Sequence, residues 1–448
     1  MMGKLFGTDG IRGKVNQYPM TPEMALKTGR AVAMTFGGQG KIVIGKDTRV
    51  SGDMLEHALL AGICSAGGNA LLTGILPTPG IAFLSKAEGA DAGIVISASH
   101  NPYYDNGIKV FKGDGFKLPD EKEAEIESLL LDENPADQSA SVQETGTVRT
   151  LEDAVGRYGD FLKNTLPPDF SLKGMKIVLD CANGATFAVA PKVFRELGAD
   201  IQALAVSPDG KNINDNCGSQ HTENLRTHVV SGGADMGLAF DGDGDRLIAV
   251  DEKGSTVSGD KILAICAKHM KKKGCLQNNT VVSTVMSNIG LRIALREMDI
   301  RHRITDVGDR YVMQEMRACG AVLGGEDSGH MIFLQHHSTG DGILSALQLI
   351  AALRSASRPL SELAEIMEVF PQLLMNVRVE RKPEIENIPR VSEIIRNAEK
   401  SLGEKGRVLV RYSGTQPLCR VMVEGPGEEE TRRYCEEIAE ALREEIGS

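Results

Sequence analysis

Residues 92–111 read AGIVISASHNPYYDNGIKVF. An apolar run ends in Ser97 and Ser99, then His100, Asn101 and Pro102, and Lys109 follows ten residues after Ser99. This is the pattern of a strand that delivers a hydroxyl to an irregular loop, and a strand end holds a side chain more rigidly than a loop does. A bare serine is a poor nucleophile, so it needs an adjacent base, a metal or prior modification. Outward from this stretch, similar short apolar strands alternate with helical patterns, which predicts α/β domains. KIVIGKDTR (41–49), MKIVLDCANGA (175–185), MGLAFDGDGDR (236–246), VVSTVMSN (281–288) and AVLGGEDSGH (321–330) all read this way. Three of these runs end in an aspartate, Asp47, Asp180 or Asp241, which hints at a repeated α/β unit.

The chain has 448 residues. At about 100–200 residues per domain that predicts three or four domains. The polar segment DENPADQSASVQETGTV (132–148) reads as a surface excursion near a boundary. The last ~80 residues differ from the rest. RVLVRYSGTQPLCRVMVEG (407–425) reads as two strands around a Gly/Pro turn. A helix is predicted over about 428–446, where Tyr434, Ile438, Leu442 and Ile446 form one apolar stripe.

The net charge of −11 argues against a nucleic-acid partner, which would need a basic footprint. The absence of Trp makes a stacking platform for bases a poor expectation. Eight cysteines lack any C-x-x-C pair, so reduced thiols are expected rather than a zinc site or disulfide framework. No apolar run approaches the ~20 residues of a membrane span. MMGKLFGTDGIRG shows no signal-peptide core, so the cytoplasm is the expected location.

DGDGDR, Asp241 to Arg246, places three carboxylates at alternate positions, a density of hard oxygen ligands that suits Mg²⁺ or Ca²⁺. A solvated acidic turn is the bland alternative. An EF-hand calcium loop is the sharper one, but its sixth position needs Gly and here is Arg246, and the flanks read as strands. RYSGTQP (411–417) offers Arg411, Ser413, Gly414 and Thr415 as a phosphate cradle, against a plain hairpin turn. In GEDSGH (325–330), Glu326 and Ser328 suit vicinal sugar hydroxyls, against a polar loop. Arg12 in GTDGIRG (7–13) and Arg49 in GKDTRVSG (45–52) read as cations in Gly-flanked loops, one for a phosphate and one for a carboxylate, or as surface arginines. Lys109 suits general acid/base work if burial or nearby cations lower its pKa.

In this order and combination the motifs resemble the α-D-phosphohexomutase superfamily, and most of all its branch acting on hexosamine phosphates. GTDGIRG, GILPTPG (74–80), ISASHNPYYDNGIKVF, LDCANGA (179–185), FDGDGDR, VMSNIG (285–290), VGDRYV (307–312) and SGTQPLCRVMVEG (413–425) carry the resemblance across nearly the whole chain. It implies four domains around a central cleft. Three are α/β: 1–153 with the phosphoserine loop, 154–254 with the metal loop and 255–367 with the sugar loop. The fourth, 368–448, is a smaller α+β domain with the phosphate loop.

The resemblance further implies that glucosamine 6-phosphate and glucosamine 1-phosphate are interconverted, for UDP-N-acetylglucosamine synthesis. Ser99 would carry a phosphoryl group, and a hexosamine 1,6-bisphosphate would be intermediate and activator. One Mg²⁺ per subunit would sit on Asp241, Asp243, Asp245 and phospho-Ser99. Lys109 would be the acid/base, assisted by His100, and Arg12 and Arg246 would contact the transferring phosphoryl. Glu326 and Ser328 would read the sugar, while Arg411, Ser413, Gly414 and Thr415 would hold the other phosphate. The choice of Ser99 over Ser97 rests on the resemblance, because spacing does not decide it. The expected partner is a small sugar phosphate, not a membrane, and a homodimer is compatible with the resemblance.

Asp327 stands where the branch usually has Gln, Gln416 where Glu is usual and Tyr412 where Lys is common. These departures bear on hexose preference rather than on reaction type, which keeps a phosphomannomutase/phosphoglucomutase activity as the alternative. A phosphatase working through phospho-Ser99, and a non-catalytic sugar-phosphate binder, are further rivals.

Overall fold

A computed structural model describes residues 5–7, 9–131, 141, 144–413 and 417–447. The first sheet has six strands in the order β1-β5-β4-β2-β3-β6. They are β1 (Ile11–Lys14), β2 (Lys41–Lys46), β3 (Asn69–Ile75), β4 (Ala92–Ile96), β5 (Asp105–Lys112) and β6 (Val148–Thr150). Its helices are α1 (Pro22–Thr35), α2 (Gly52–Ser65), α3 (Thr78–Ala87) and α4 (Asp120–Leu131). β2, β3, β4 and β6 run parallel, and β5 is antiparallel to both β4 and β1. Every residue of β4 is buried, as a continuous apolar run in a covered sheet requires.

Helices α5 (Ala154–Lys163), α6 (Val189–Glu196) and α7 (Glu223–Gly232) accompany a second sheet ordered β11-β10-β9-β7-β8. Its strands are β7 (Lys176–Asp180), β8 (Asp200–Leu204), β9 (Met236–Phe240), β10 (Leu247–Asp251) and β11 (Thr256–Val257). β9 and β10 form an antiparallel hairpin in which Phe240 pairs with Leu247, so DGDGDR is the hairpin loop. The strand flanks exclude the helix–loop–helix of an EF-hand. Asp180 and Asp241 end neighbouring strands of this one sheet, so the aspartate-ended runs do not mark one repeat each. Asp180 acts locally, accepting the N–H groups of Ala182 and Gly218, both at 2.9 Å.

A third sheet, ordered β13-β12-β14-β15, contains β12 (Thr280–Thr284), β13 (Arg301–Thr305), β14 (Leu323–Gly325) and β15 (Met331–Phe333). Helices α8 (Gly259–Lys272), α10 (Asp309–Cys319), α11 (Gly342–Ala356) and α12 (Leu360–Leu363) accompany it, and α9 (Ile289–Glu297) lies between β12 and β13 in the chain. The last segment is an antiparallel sheet of β16 (Gln372–Arg378), β18 (Leu418–Glu424) and β17 (Arg407–Tyr412), with α13 (Pro389–Leu402) and α14 (Glu428–Ile446). α14 spans the predicted residues, and its Tyr434, Ile438, Leu442 and Ile446 stripe is buried in the core of this segment.

Two compact units result, residues 1–285 with 303–364, and residues 286–302 with 365–448. In the second unit Asn288 ties the segment before α9 to Phe370, donating to its carbonyl at 2.9 Å and accepting its N–H at 3.1 Å. All eight cysteines are free thiols, as their spacing predicts. Among the described residues no helix is long and apolar enough to cross a membrane. Most of the 132–148 excursion lies outside the described residues.

Helices α1 and α2 cover one face of the first sheet and touch through glycines. A Cβ on Gly62 of α2 would collide with the backbone carbonyl of Leu26 in α1, and one on Gly29 with that of Leu59. Gly62→Ala is therefore expected to force the pair apart and lower unfolding free energy by about 1–3 kcal/mol. Urea unfolding measures it, and an unchanged midpoint would contradict this packing.

Candidate active site

β4 ends at Ile96, and the next residues divide the labour between the two serines. The Ser97 hydroxyl donates to Asp47 at 2.6 Å and accepts the N–H of Ser99 at 2.9 Å. Ser97 is thus a support. Ser99 turns the other way and donates its hydroxyl to Asp241 of the metal loop at 2.6 Å. To do so its backbone takes φ +52°, a left-handed conformation that costs a non-glycine residue of order 1 kcal/mol.

The backbone is clamped there from two sides. Arg49, fully buried, pairs with Asp47 at 2.9 Å and donates to the carbonyls of Ser99 and Asn101, each at 2.9 Å, and of Pro102. Asn214, from the second sheet's segment, donates to the carbonyls of Ser99 and Asn101 at 2.9 and 3.1 Å. The sequence reading placed Arg49 against a carboxylate, which is correct, but as a surface cation it fails. A guanidinium has five N–H groups in a planar fork, and here they are used on loop carbonyls.

The ligand-capable oxygens of Asp241, Asp243 and Asp245 lie within 4.8 Å of one another, and all three residues are buried. Gly242 lets the two loops meet, because a Cβ there would sit 2.6 Å from the Ser99 carbonyl. Burial pushes the Asp241 carboxyl well above its usual range, and Asp245 and Asp243 add repulsion. Asp243 goes the other way: burial raises it, but Lys109 at 2.8 Å and the Thr78 hydroxyl at 2.7 Å outweigh that. One oxygen each of Asp243 and Asp245 is buried without a hydrogen-bond partner. Three crowded carboxylates with orphaned oxygens fit a small hard divalent cation such as Mg²⁺. Arg246 backs the loop with its guanidinium, 3.9 Å from Asp241 and 3.8 Å from Asp245.

Lys109 lies on β5, where Asp243, Asp9 and Asp245 surround its ammonium at 2.8, 2.9 and 3.7 Å. Burial alone would lower its pKa. The carboxylates outweigh burial and hold it above the ordinary lysine range. The lowered value that the sequence reading required is therefore not what these surroundings produce. His100 differs: burial, then Arg246 and Arg12, depress it to about 4, so the ring is neutral at pH 7. Its Nδ1 is 3.3 Å from the Ser99 hydroxyl.

Arg12 is not in a loop as read from its glycines. It lies on edge strand β1 opposite Gly107, whose missing side chain leaves room for it, and it pairs with Asp9. Arg12, His100, Asp245, Arg246 and Glu326 line one cavity of about 460 Å³, together with Asp9, Asp309 and His330. Asp9 and Asp309 each bind Lys117 at 2.5 Å. None of Asp9, Thr78, Lys117, Asn214, Asp309 or His330 was singled out from sequence. The available signal was motif membership, since Asp9 shares GTDGIRG with Arg12, and Thr78 and Asp309 sit in GILPTPG and VGDRYV.

Glu326 follows β14 and accepts the N–H of Gly308 at 3.1 Å, whereas Ser328 is exposed at the turn. Asp327 faces α8: its carbonyl accepts the N–H of Gly259 at 3.1 Å and its carboxylate that of Asp260 at 3.3 Å. In the second unit, Arg411 is on β17, Ser413 follows that strand and is buried, and Lys382 donates to the Ser413 carbonyl at 2.6 Å. The Tyr412 hydroxyl is spent on the Pro383 carbonyl at 2.7 Å. Gly414, Thr415 and Gln416 lie outside the described residues.

Four family models match the chain: phosphoglucomutase/phosphomannomutase α/β/α domain I over residues 3–137, domain II over 157–254, domain III over 258–370 and the C-terminal domain over 374–441. The chain is 60% identical to a phosphoglucosamine mutase of Syntrophus aciditrophicus and 58% to one of Syntrophobacter fumaroxidans, with 100% of each chain covered. Its fold is similar to that of a phosphoglucomutase/phosphomannomutase family protein from Burkholderia thailandensis, at TM-score 0.81 and 22% identity over 100% of both chains. The N-acetylphosphoglucosamine mutase of Aspergillus fumigatus, solved with GlcNAc-6P and magnesium, matches at TM-score 0.68 and 17% identity, covering 98% of this chain and 95% of that one.

The Arg49 clamp predicts that Arg49→Lys, which keeps the charge but not the fork, lowers kcat at least about tenfold. KM should change far less, because Arg49 does not line the cavity. Equal loss in both constants would argue against a positioning role. Millimolar Mg²⁺ is expected to raise the Tm of the wild type and to leave that of Asp241→Asn unchanged, as read by calorimetry.

Proposed function

The chain belongs to the phosphoglucomutase/phosphomannomutase family, and we propose that it interconverts glucosamine 6-phosphate and glucosamine 1-phosphate, the reaction named for its 53–60% identical full-length relatives. It is a phosphohexomutase, an isomerase that moves a phosphoryl group between two oxygens of one sugar. The observation that carries our reading of the site is the bond from the Ser99 hydroxyl to Asp241 inside a buried three-carboxylate cluster. A serine placed against a carboxylate cluster is poorly served as a free nucleophile, because negative charge repels an incoming phosphate. Once phosphorylated and matched by a cation, the same placement suits a phosphoryl carrier.

In this reading Asp241, Asp243, Asp245 and phospho-Ser99 hold one Mg²⁺. Bound there, the ion would neutralise phosphate charge and make the phosphorus more electrophilic. The first half-reaction breaks the bond between Ser99 Oγ and phosphorus. A new bond forms to the free sugar hydroxyl, whose proton leaves to Lys109, and the vacated Ser99 Oγ takes a proton. The product is the 1,6-bisphosphate. After the sugar turns around, its other phosphoryl returns to Ser99, whose hydroxyl gives up its proton, and the vacated sugar oxygen takes a proton.

Lys109 is the proton carrier, with neutral His100 beside Ser99 as its helper. As a cation Lys109 gives its proton to the oxygen that phosphorus leaves, Ser99 Oγ in the first half and the sugar oxygen in the second, and regains one from the attacking hydroxyl. Arg12 and Arg246 face the transferring group, and Glu326 with Ser328 reads sugar hydroxyls. Arg411, Ser413, Gly414 and Thr415 hold the phosphate that is not reacting. We place the enzyme in the cytoplasm, where its product would feed UDP-N-acetylglucosamine synthesis. Asp327, bonded to the first turn of α8, bears on hexose choice only through the backbone of its loop.

A coupled assay with glucosamine, mannose and glucose 6-phosphates tests the substrate. The expected order has the highest kcat/KM for glucosamine 6-phosphate, and a higher value for either rival rejects the assignment. Intact-mass analysis should find one phosphoryl group on the active protein and none on Ser99→Ala, whose turnover should fall by at least about a thousandfold.

A further inference from the structure

The cavity of about 460 Å³ carries both signs of charge. Its cations, Arg12 and Arg246, are assigned above to phosphate. Four carboxylates line it as well, those of Asp9, Asp245, Asp309 and Glu326. Two of them have other business. Asp245 belongs to the metal loop, and Asp9 is ringed by Arg12, Lys109 and Lys117. Asp309 shares Lys117 with Asp9, so one ammonium serves two carboxylates. Glu326 accepts a backbone N–H from Gly308, a neutral donor. That bond also fixes Glu326 beside Asp309, the next residue after Gly308. The Gly308 side of the cavity thus presents two carboxylates, Asp309 held by Lys117 and Glu326 facing Arg246 across the cavity.

A second observation points to a ligand there. His330 lines the same cavity with its side chain 4% exposed, and its Nε2 is 3.6 Å from Asp309. Neither ring nitrogen has a hydrogen-bond partner. Buried polar groups are left unpaired at a cost, and a neutral imidazole offers one acceptor and one donor. A sugar hydroxyl satisfies one such acceptor and brings no charge to the carboxylates. An ammonium group brings three N–H donors and a full charge.

We propose that Asp309, with Glu326 and His330 beside it, binds the protonated 2-amino group of the sugar and so selects hexosamine phosphates over hexose phosphates. This rests on the reading that the substrate is a hexosamine phosphate. Glucose and mannose phosphates carry a neutral hydroxyl at that carbon, and an N-acetylated sugar carries a bulkier neutral amide. A site built around charge disfavours both, because neither brings a cation to the carboxylates.

The test is a ratio, the kcat/KM for glucosamine 6-phosphate divided by that for glucose 6-phosphate. Asp309→Asn keeps the shape and removes the charge. It is expected to lower the ratio by roughly 10–100-fold, the worth of one charge-assisted hydrogen bond. Asp309→Glu should restore part of it. A structural defect would depress both substrates together and leave the ratio alone, so a ratio within about threefold of wild type overturns the inference.

A second measurement needs no variant. The wild type should handle 2-deoxyglucose 6-phosphate about as poorly as glucose 6-phosphate, and equality of the 2-deoxy sugar with glucosamine 6-phosphate overturns the inference too. A wild type that prefers glucose or mannose phosphate removes the underlying reading and this inference with it. Loss of the inference alone leaves the wild-type preference for glucosamine phosphate standing.

Discussion

Three carboxylates confined within 4.8 Å of one another repel, and burial removes the water that would screen them. The first unit is organised around this repulsion. One carboxyl, Asp241, is driven toward its protonated form and takes the Ser99 hydroxyl as a partner. Another, Asp243, is kept ionised by Lys109 and Thr78. Arg246 lies behind the loop. Removing any of these would leave charge uncompensated in a dry place, which is far more costly than losing a contact at the surface. The cluster thus keeps its three carboxylates together only with these partners, and its charge suits a divalent cation.

Rigidity around Ser99 follows from the same demand. In the role proposed for Ser99 its oxygen must lie in line with an incoming hydroxyl, and misplacement by an ångström is expensive. The left-handed backbone at Ser99 is strained, and the structure holds it with two side chains that act on the same carbonyls. Arg49 comes from the loop after β2, and Asn214 from the segment between β8 and α7. The strained residue therefore sits where two sheets' loops interlock, which is how strain at a reactive residue persists. The cavity beside it is lined by opposite charges, an arrangement that suits a zwitterionic sugar phosphate better than a plain anion.

Much of this was legible in the chain. Continuous apolar runs bounded by polar turns give β2, β4, β7, β9 and β12 close to their observed limits, because a strand covered on both faces has no polar residue to spare. The stripe of α14 was equally plain. DGDGDR was readable as a loop that gathers three carboxylates, since only a few geometries bring alternate aspartates together. Less could be read where a role depends on a distant partner. Asp9, Thr78, Lys117, Asn214 and His330 acquire theirs from residues tens to hundreds of positions away. The aspartates ending three strands looked alike in sequence, yet Asp180 only braces its own loop.

By itself the sequence determined the α/β architecture with its smaller last segment, the loops that carry chemistry and the family they resemble. These are properties of local pattern, set by hydrophobic periodicity, turn chemistry and motif order. Only the tertiary structure separates Ser97 from Ser99 on physical grounds, since both hydroxyls leave the same strand and differ in which carboxylate receives them. It also decided that Arg49 is a buried clamp rather than a surface cation, and that Lys109 is surrounded by carboxylates rather than by cations. Electrostatic environment is a sum over neighbours from many segments, and it exists only once the chain has folded.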